Sequence, residues 1–217
     1  MANIKLLKGV SSPDRETADG SFISAQSTRD GSLFTADWID RLVLEGRCFG
    51  VNGGEFSSPA EMGGALVVTT ADLTIDIPAG FILIPISVEV HIDTITTGIT
   101  ECVALASSAL TVSTGTALVA KNLRLDAPYT SATTCKGACS ANTTPYSGNY
   151  FEFFRAGYPT DASLAGSPEP TYKWQARSNG IGAVVVDGGS ISVHVGGSAS
   201  TAFITVTWAE LPESYIK

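Results

Sequence analysis

The side chains able to do chemistry in this chain are few and widely spaced. Two histidines, His91 and His194, and four cysteines, Cys48, Cys102, Cys135 and Cys139, are the candidates for proton transfer, metal binding or redox work. A catalytic base needs a positioned partner. His91 instead alternates with Val88, Val90 and Ile92, and His194 with Ile191, Val193 and Val195, so both read as solvent-facing residues of a sheet. Cys135 and Cys139 frame the segment CKGAC. Structural zinc usually combines two such pairs, and no second pair or nearby histidine accompanies this one. A local disulfide fits the segment better than a metal, and free thiols are the ordinary outcome in a reducing compartment. The pairing itself cannot be read from spacing.

A glycosidase needs only two carboxylates. Glu89, Asp93, Glu101, Asp126 and Glu152 are available, but nothing in their spacing pairs them. The chain has no G-x-S-x-G elbow, Walker loop, dinucleotide fingerprint or H-E-x-x-H. Its glycine pairs at 53–54, 63–64, 188–189 and 196–197 lack the lysine and helix of a phosphate cradle and read as turns. The expectation is a protein that is not an enzyme, with no cofactor and no metal. Aromatic residues are the remaining site candidates. Tyr129, Tyr146, Tyr150, Tyr158, Tyr172 and Trp174 lie in or beside long loops. They either seal those loops onto the core, since aromatics chiefly contribute buried area, or stack on sugar rings. Trp38, Tyr129, Tyr146, Tyr158 and Trp174 are the expected contacts to a neighbouring subunit or a surface glycan.

The elements that must position these residues are mostly strands. In the run IPAGFILIPISVEVHIDTI, residues 77–95, Ile84, Ile86, Val88, Val90 and Ile92 alternate with Pro85, Ser87, Glu89, His91 and Asp93. A period of two marks a strand with one dry and one wet face, as in antiparallel sheets packed on one side. Pro85 lacks a ladder donor, which predicts a sheet edge or a bulge there. Before the run, Pro78 and Gly80 signal a turn. Further strands are expected at 65–70, 73–77, 101–107, 118–125, 150–155, 171–177, 180–187, around 191–195 and at 202–208. Long loops are expected over 126–149 and 156–170.

One helix is expected, over residues 35–45, TADWIDRLVLE. Thr35 is its cap, Trp38, Ile39, Leu42 and Val43 form its apolar face, and Gly46 is its stop. Residues 1–31 are polar and irregular, which fits an extended arm or a disordered tail. The fold expected is all-β: an antiparallel β-sandwich of jelly-roll type, with one short N-terminal helix and an extended arm. Residues 1–50 carry the arm and helix, and residues 51–217 the sandwich.

Composition agrees with that architecture and narrows the partners. Only 16% of the 217 residues are charged, while 44% are hydrophobic. A net charge of −8, with 13 basic residues among 21 acidic ones, disfavours direct nucleic-acid binding and an anionic membrane surface. No run of about 18 apolar residues appears. The first residues, MANIKLLKGVSSPDRETADG, lack the apolar core of a secretion signal, which fits synthesis and use in a cytosol or release by cell lysis.

The segment 75-IDIPAGFILIPISVEVHI-92, the closing 202-AFITVTWAELP-212 and the earlier 40-DRLVLEGRCFGVN-52 together resemble jelly-roll structural proteins of bacteriophage particles. The resemblance covers residues 40–212 as an architecture. Unlike the capsids of plant and RNA viruses, whose arms are strongly basic, this chain has a near-neutral stretch 1–31. The resemblance implies a virion location and a structural role as capsid, decoration or vertex component. It also implies contacts to copies of itself and to other virion proteins. The alternative expectation, from the loop aromatics, is a lectin-like module that binds surface carbohydrate for host recognition.

Overall fold

The computed structural model describes residues 5–7, 22–24, 37–61, 66–67, 69–95, 98–111, 114–139, 148–160, 171–180, 182–196 and 200–215. The strands are β1 Lys5–Leu7, β2 Phe22–Ser24, β3 Cys48–Gly53, β4 Ala60–Glu61, β5 Leu73–Ile77, β6 Phe81–Ile95, β7 Gly98–Ser107 and β8 Thr116–Leu118. They continue with β9 Lys121–Asn122, β10 Thr134–Gly137, β11 Tyr150–Thr160, β12 Thr171–Gln175, β13 Val185–Val186, β14 Gly189–Gly196 and β15 Ser200–Pro212. Two helices, α1 Trp38–Leu44 and α2 Ala176–Asn179, and a final 3-10 turn at Glu213–Tyr215 complete the described elements.

The strands form a six-stranded sheet in the order β11-β7-β14-β5-β10-β8 and a seven-stranded sheet built on β12-β6-β15-β3-β9. In the latter, β13 also pairs with β6 and β4 with β15. A separate two-stranded sheet joins β1 and β2. Every pairing is antiparallel, and the longer strands nest: β3 with β15, β5 with β14, β6 with β12, and β7 with β11. The chain is an all-β sandwich. Its interior is filled by Leu73, Ile75 and Ile77 of β5 and Ile191 and Val193 of β14 from one sheet. Val88, Val90 and Ile92 of β6 and Ile204, Val206 and Trp208 of β15 come from the other. The sandwich begins with β3 at Cys48, ahead of the expected boundary at residue 51.

β6 answers the question posed by Pro85. Ser87 pairs with Thr207 and Pro85 with Trp208, so Ile86 is the extra residue of a bulge. The missing donor costs little there, because on the other side β12 stops at Ser87 and β13 starts at Leu83. A bulge shifts a strand by one residue and therefore reverses its faces. Beyond it, Leu83 joins the sandwich interior, while Ile82 and Ile84 turn to the outside. The expected common face for Ile84 and Val88 is thus corrected: one inserted residue separates them. The outward apolar residues are covered by α1, whose Leu42 packs with Cys48, Ile82, Ala209 and Leu211.

The helix is shorter than expected and is capped by Asp37, not Thr35, with the Asp37 carboxylate accepting from the Ile39 N–H at 3.1 Å. Gly46, at φ +72°, ends it as expected. The Gly46 and Arg47 N–H groups donate back to the Val43 and Leu42 carbonyls, a Schellman closure. On the free part of the outer face the wet positions are as expected. Glu89 pairs with Lys173 at 3.0 Å, and His91 meets the Thr171 hydroxyl at 3.0 Å.

Other expected elements differ. The 118–125 segment is not one strand but β8, β9 and turns. Its apolar residues Leu118, Leu123 and Leu125 are too irregularly spaced for a single face. The 126–149 segment contains β10, which joins the six-stranded sheet through Cys135 and Ile75. The 171–177 strand ends at Gln175 and turns into α2, and among the described residues of 180–187 only Val185–Val186 is strand. β11 runs on to Thr160, so the expected loop starts later. The expected strand at 65–70 does not form: its described residues 66–67 and 69–70 are turn and irregular chain, bound back by the Thr70 N–H to the Val67 carbonyl. Most of 1–31 lies outside the described residues.

Leu83 and Ile82 are neighbours, both fully buried, and serve opposite faces. Leu83→Ala and Ile82→Ala should each cost about 2–5 kcal/mol in chemical denaturation. A one-sided strand would show the large cost at only one of the two.

Candidate interaction surface

The polar groups that sequence offered for chemistry are mostly consumed in holding loops. His194 was expected to face solvent but is buried, with 4% of its surface exposed. The outer face of β14 is not wet, because loops cross it. His194 Nδ1 lies 3.2 Å from the Val67 carbonyl and Nε2 lies 3.1 Å from the Ser192 hydroxyl. Ser190 donates to the Ala109 carbonyl. Asp72 accepts from the Val195 N–H at 2.6 Å, and Asp76 accepts from the Thr111 N–H and hydroxyl. Glu210, also buried, accepts from the Ser131 hydroxyl at 2.7 Å and the Ala132 N–H at 2.6 Å. Asp76 and Glu210 thus each anchor a loop to the sandwich, a use that spacing alone did not reveal.

All four cysteines are buried and free, the ordinary outcome expected for thiols in a reducing compartment, and the local disulfide weighed for CKGAC is not formed. Cys135 lies within the strand β10, and the Cys139 sulfur meets the Thr74 hydroxyl at 3.7 Å, so the CKGAC segment packs as strand and turn. Burial pushes the Cys48 thiol up to about 12 and Cys135 up to about 11, and raises Cys102 as well. Among the described residues, no group of three His, Cys, Asp or Glu side chains is arranged to hold a metal ion.

The candidate contact residues separate. Trp174 is buried between the sheets, its ring edge-on to Phe153 at 4.8 Å, so it seals the core and offers no face to a glycan. Tyr172 is likewise inside, its hydroxyl donating to the Thr100 carbonyl at 2.7 Å. Tyr146 lies outside the described residues, and Tyr158 is placed only as part of the β11 backbone. Trp38 is exposed at the start of α1, close to the ion pairs that Arg177 makes with Asp37 and Asp40. Tyr129 is exposed too, and Arg47 covers one face of its ring at 4.4 Å. Of the three whose side chains are described, Trp38 and Tyr129 are exposed and Trp174 is buried, so they do not form one site.

Tyr129 does line a cleft. With Phe49, Leu118, Val119, Lys121 and Thr133, among others, it encloses about 370 Å³ where the short strands β8 and β9 end the two sheets. Around the cleft, Arg124 ties its loop to the Leu44 carbonyl, and Asn122 donates to the Gly46 carbonyl. Leu44, Val119, Leu123 and Leu125 remain exposed there, Leu125 at 94%. On the opposite end of β3, Phe56 is fully exposed. Sequence reasoning passed over these residues because it sought aromatics in long loops. The available signal was a large apolar residue alone in a polar turn, as in 53-GGEFSSP-59. A second cleft, of about 220 Å³, lies beside Tyr150, Phe151 and Val184.

No family model matches the chain, and no curated protein matches it in sequence.

Desolvation lowers the pKa of His194, although carbonyls of Val67 and Thr70 and the charge of Glu152 oppose the shift. The unfolded chain, near 6.5, then takes the proton more readily than the folded one. The stability this residue contributes is present above about pH 6.5 and is lost as pH falls toward the depressed folded value. His194→Gln should remove that loss, at most about 1.4 kcal/mol per pH unit, in denaturation curves compared from pH 7.5 downward. The thiols carry a second expectation: a disulfide reagent should modify none of the four in the native protein at neutral pH and all of them after denaturation. Rapid native labelling would contradict the burial.

Proposed function

We infer that this chain is a virion structural protein, a capsid, decoration or vertex component, that works by assembling with copies of itself and with other virion proteins. The observation that carries the reading is the nested strand order. β3 with β15, β5 with β14, β6 with β12 and β7 with β11 is the pairing of a long hairpin rolled into two sheets. That order supports a jelly roll, a form shared by viral capsid and lectin domains. Fold alone does not choose between these uses, so the surface has to.

The surface favours assembly. Exposed Leu44, Val119 and Leu125 cluster about the cleft, with Phe56 exposed alone at the far end of β3, and clustered apolar exposure marks protein contacts. The glycan reading loses its strongest anchor in the buried Trp174, and Tyr129 has one ring face already taken by Arg47. The polar groups beside Tyr129 are also occupied: Asn122 serves Gly46 and Tyr129 carbonyls, and Ser131 serves Glu210. A non-enzymatic role agrees with carboxylates spent on loops. The net charge of −8 suits a position away from nucleic acid, in the particle and outside any membrane.

Size-exclusion chromatography with light scattering tests the reading. The expected result is a defined multiple of the 22.5 kDa chain that persists on dilution into the micromolar range. A strict monomer at every concentration, which also fails to bind particles, would overturn it.

A further inference from the structure

Two exposed apolar features lie at opposite ends of β3. The first is a knob. Phe56 sits at the tip of a turn closed by reciprocal backbone bonds, Glu55 N–H to the Ser58 carbonyl and Ser58 N–H to the Glu55 carbonyl. Its side chain is fully exposed, and the carboxylate of Glu55 travels with it. The second is the 370 Å³ cleft, walled by Phe49, Leu118, Val119 and Tyr129, with Lys121 in its lining. Arg47, stacked on Tyr129, adds a second cation beside it.

We propose that Phe56 of one copy seats in this cleft on a second copy, forming a head-to-tail contact. The proposal rests on the assembly reading and names its contact. Three observations support the fit. The cleft has room for a phenyl ring and apolar walls to receive it. The charges are complementary: Glu55 arrives beside Lys121 and Arg47, whereas most approaches between two chains of net charge −8 bring like charges together. The geometry also forbids a self-contact. Phe49 lines the cleft and Phe56 lies past the far end of β3, so at about 3.3 Å per residue the two are separated by on the order of 20 Å. Knob and cleft are different surfaces of one molecule, so the contact is heterologous. Repeated, it closes a ring or continues as a filament.

Two substitutions at exposed positions, Phe56→Ser and Val119→Glu, test this without touching the core. Phe56→Ser removes the knob and keeps the cleft. Val119→Glu puts a carboxylate in the path of Glu55 and keeps the knob. Circular dichroism should be unchanged for both. Light scattering should show self-association weakened roughly tenfold or more for each alone. An equimolar mixture should yield a one-to-one heterodimer, because each variant retains the half that the other lacks. Oligomers of the unaltered protein that persist unchanged in Phe56→Ser would overturn this contact and leave assembly standing. Variants that are each impaired but do not complement would overturn the head-to-tail arrangement. Loss of assembly in Val119→Glu alone would assign the cleft to another occupant and also overturn the proposal. A wild-type chain that is monomeric throughout would instead overturn the assembly reading itself.

Discussion

The ladder between β6 and β15 is the constraint on which the rest of the sandwich depends. These are the two longest strands, and each is paired on both sides, β6 with β12 and β13, β15 with β3 and β4. One face of the ladder supplies Val88, Val90, Ile92, Ile204, Val206 and Trp208 to the interior. The single extra residue Ile86 then lets the same strand bury its other face. Without it, Ile82 and Ile84 would point inward and Leu83 outward, and the patch under Leu42 of α1 would lose Ile82 beside Cys48, Ala209 and Leu211. The bulge thus supplies part of the outer apolar patch that α1 covers.

A second theme is the use of polar chemistry for closure. Asp72, Asp76 and Glu210 could have been catalytic carboxylates by residue type, yet Asp76 and Glu210 accept hydrogen bonds from loops they hold, and Asp72, just ahead of β5, accepts from the Val195 N–H of β14. A buried carboxylate is costly unless its oxygens find donors, and crossing loops have N–H groups that need acceptors. The two needs satisfy each other. The loops over β14 in turn bury His194 and Ser192, so the six-stranded sheet is dry on both sides near its centre. Among the described residues, what remains on the surface for partners includes exposed apolar side chains and charged groups.

Much of the fold was legible before any coordinates. The Pro78–Gly80 turn, the strand periods of 73–77, 101–107 and 202–208, the helix stop at Gly46 and the irregularity at Pro85 all follow from local rules of φ, hydrogen bonding and alternation. The site was less legible. Trp174 and Tyr129 look alike in sequence, as aromatics beside loops, but one faces the opposite sheet and the other the solvent. Phe56 and Val119 carry no motif at all. Their significance is only that nothing covers them, and coverage is a property of the whole packed molecule.

By itself the sequence determined that this chain forms strands with alternating faces, a helix before them, and no catalytic or metal signature of known spacing. It could do so because those features depend on neighbours within a few residues, where periodicity and turn geometry act. Only the tertiary structure decided which faces stay wet, where β6 changes phase, that the cysteines remain thiols, and which apolar side chains are left outside. Those outcomes depend on segments far apart in the chain, such as Val67 over His194 or Ser131 against Glu210, and no local pattern encodes which distant loop will arrive.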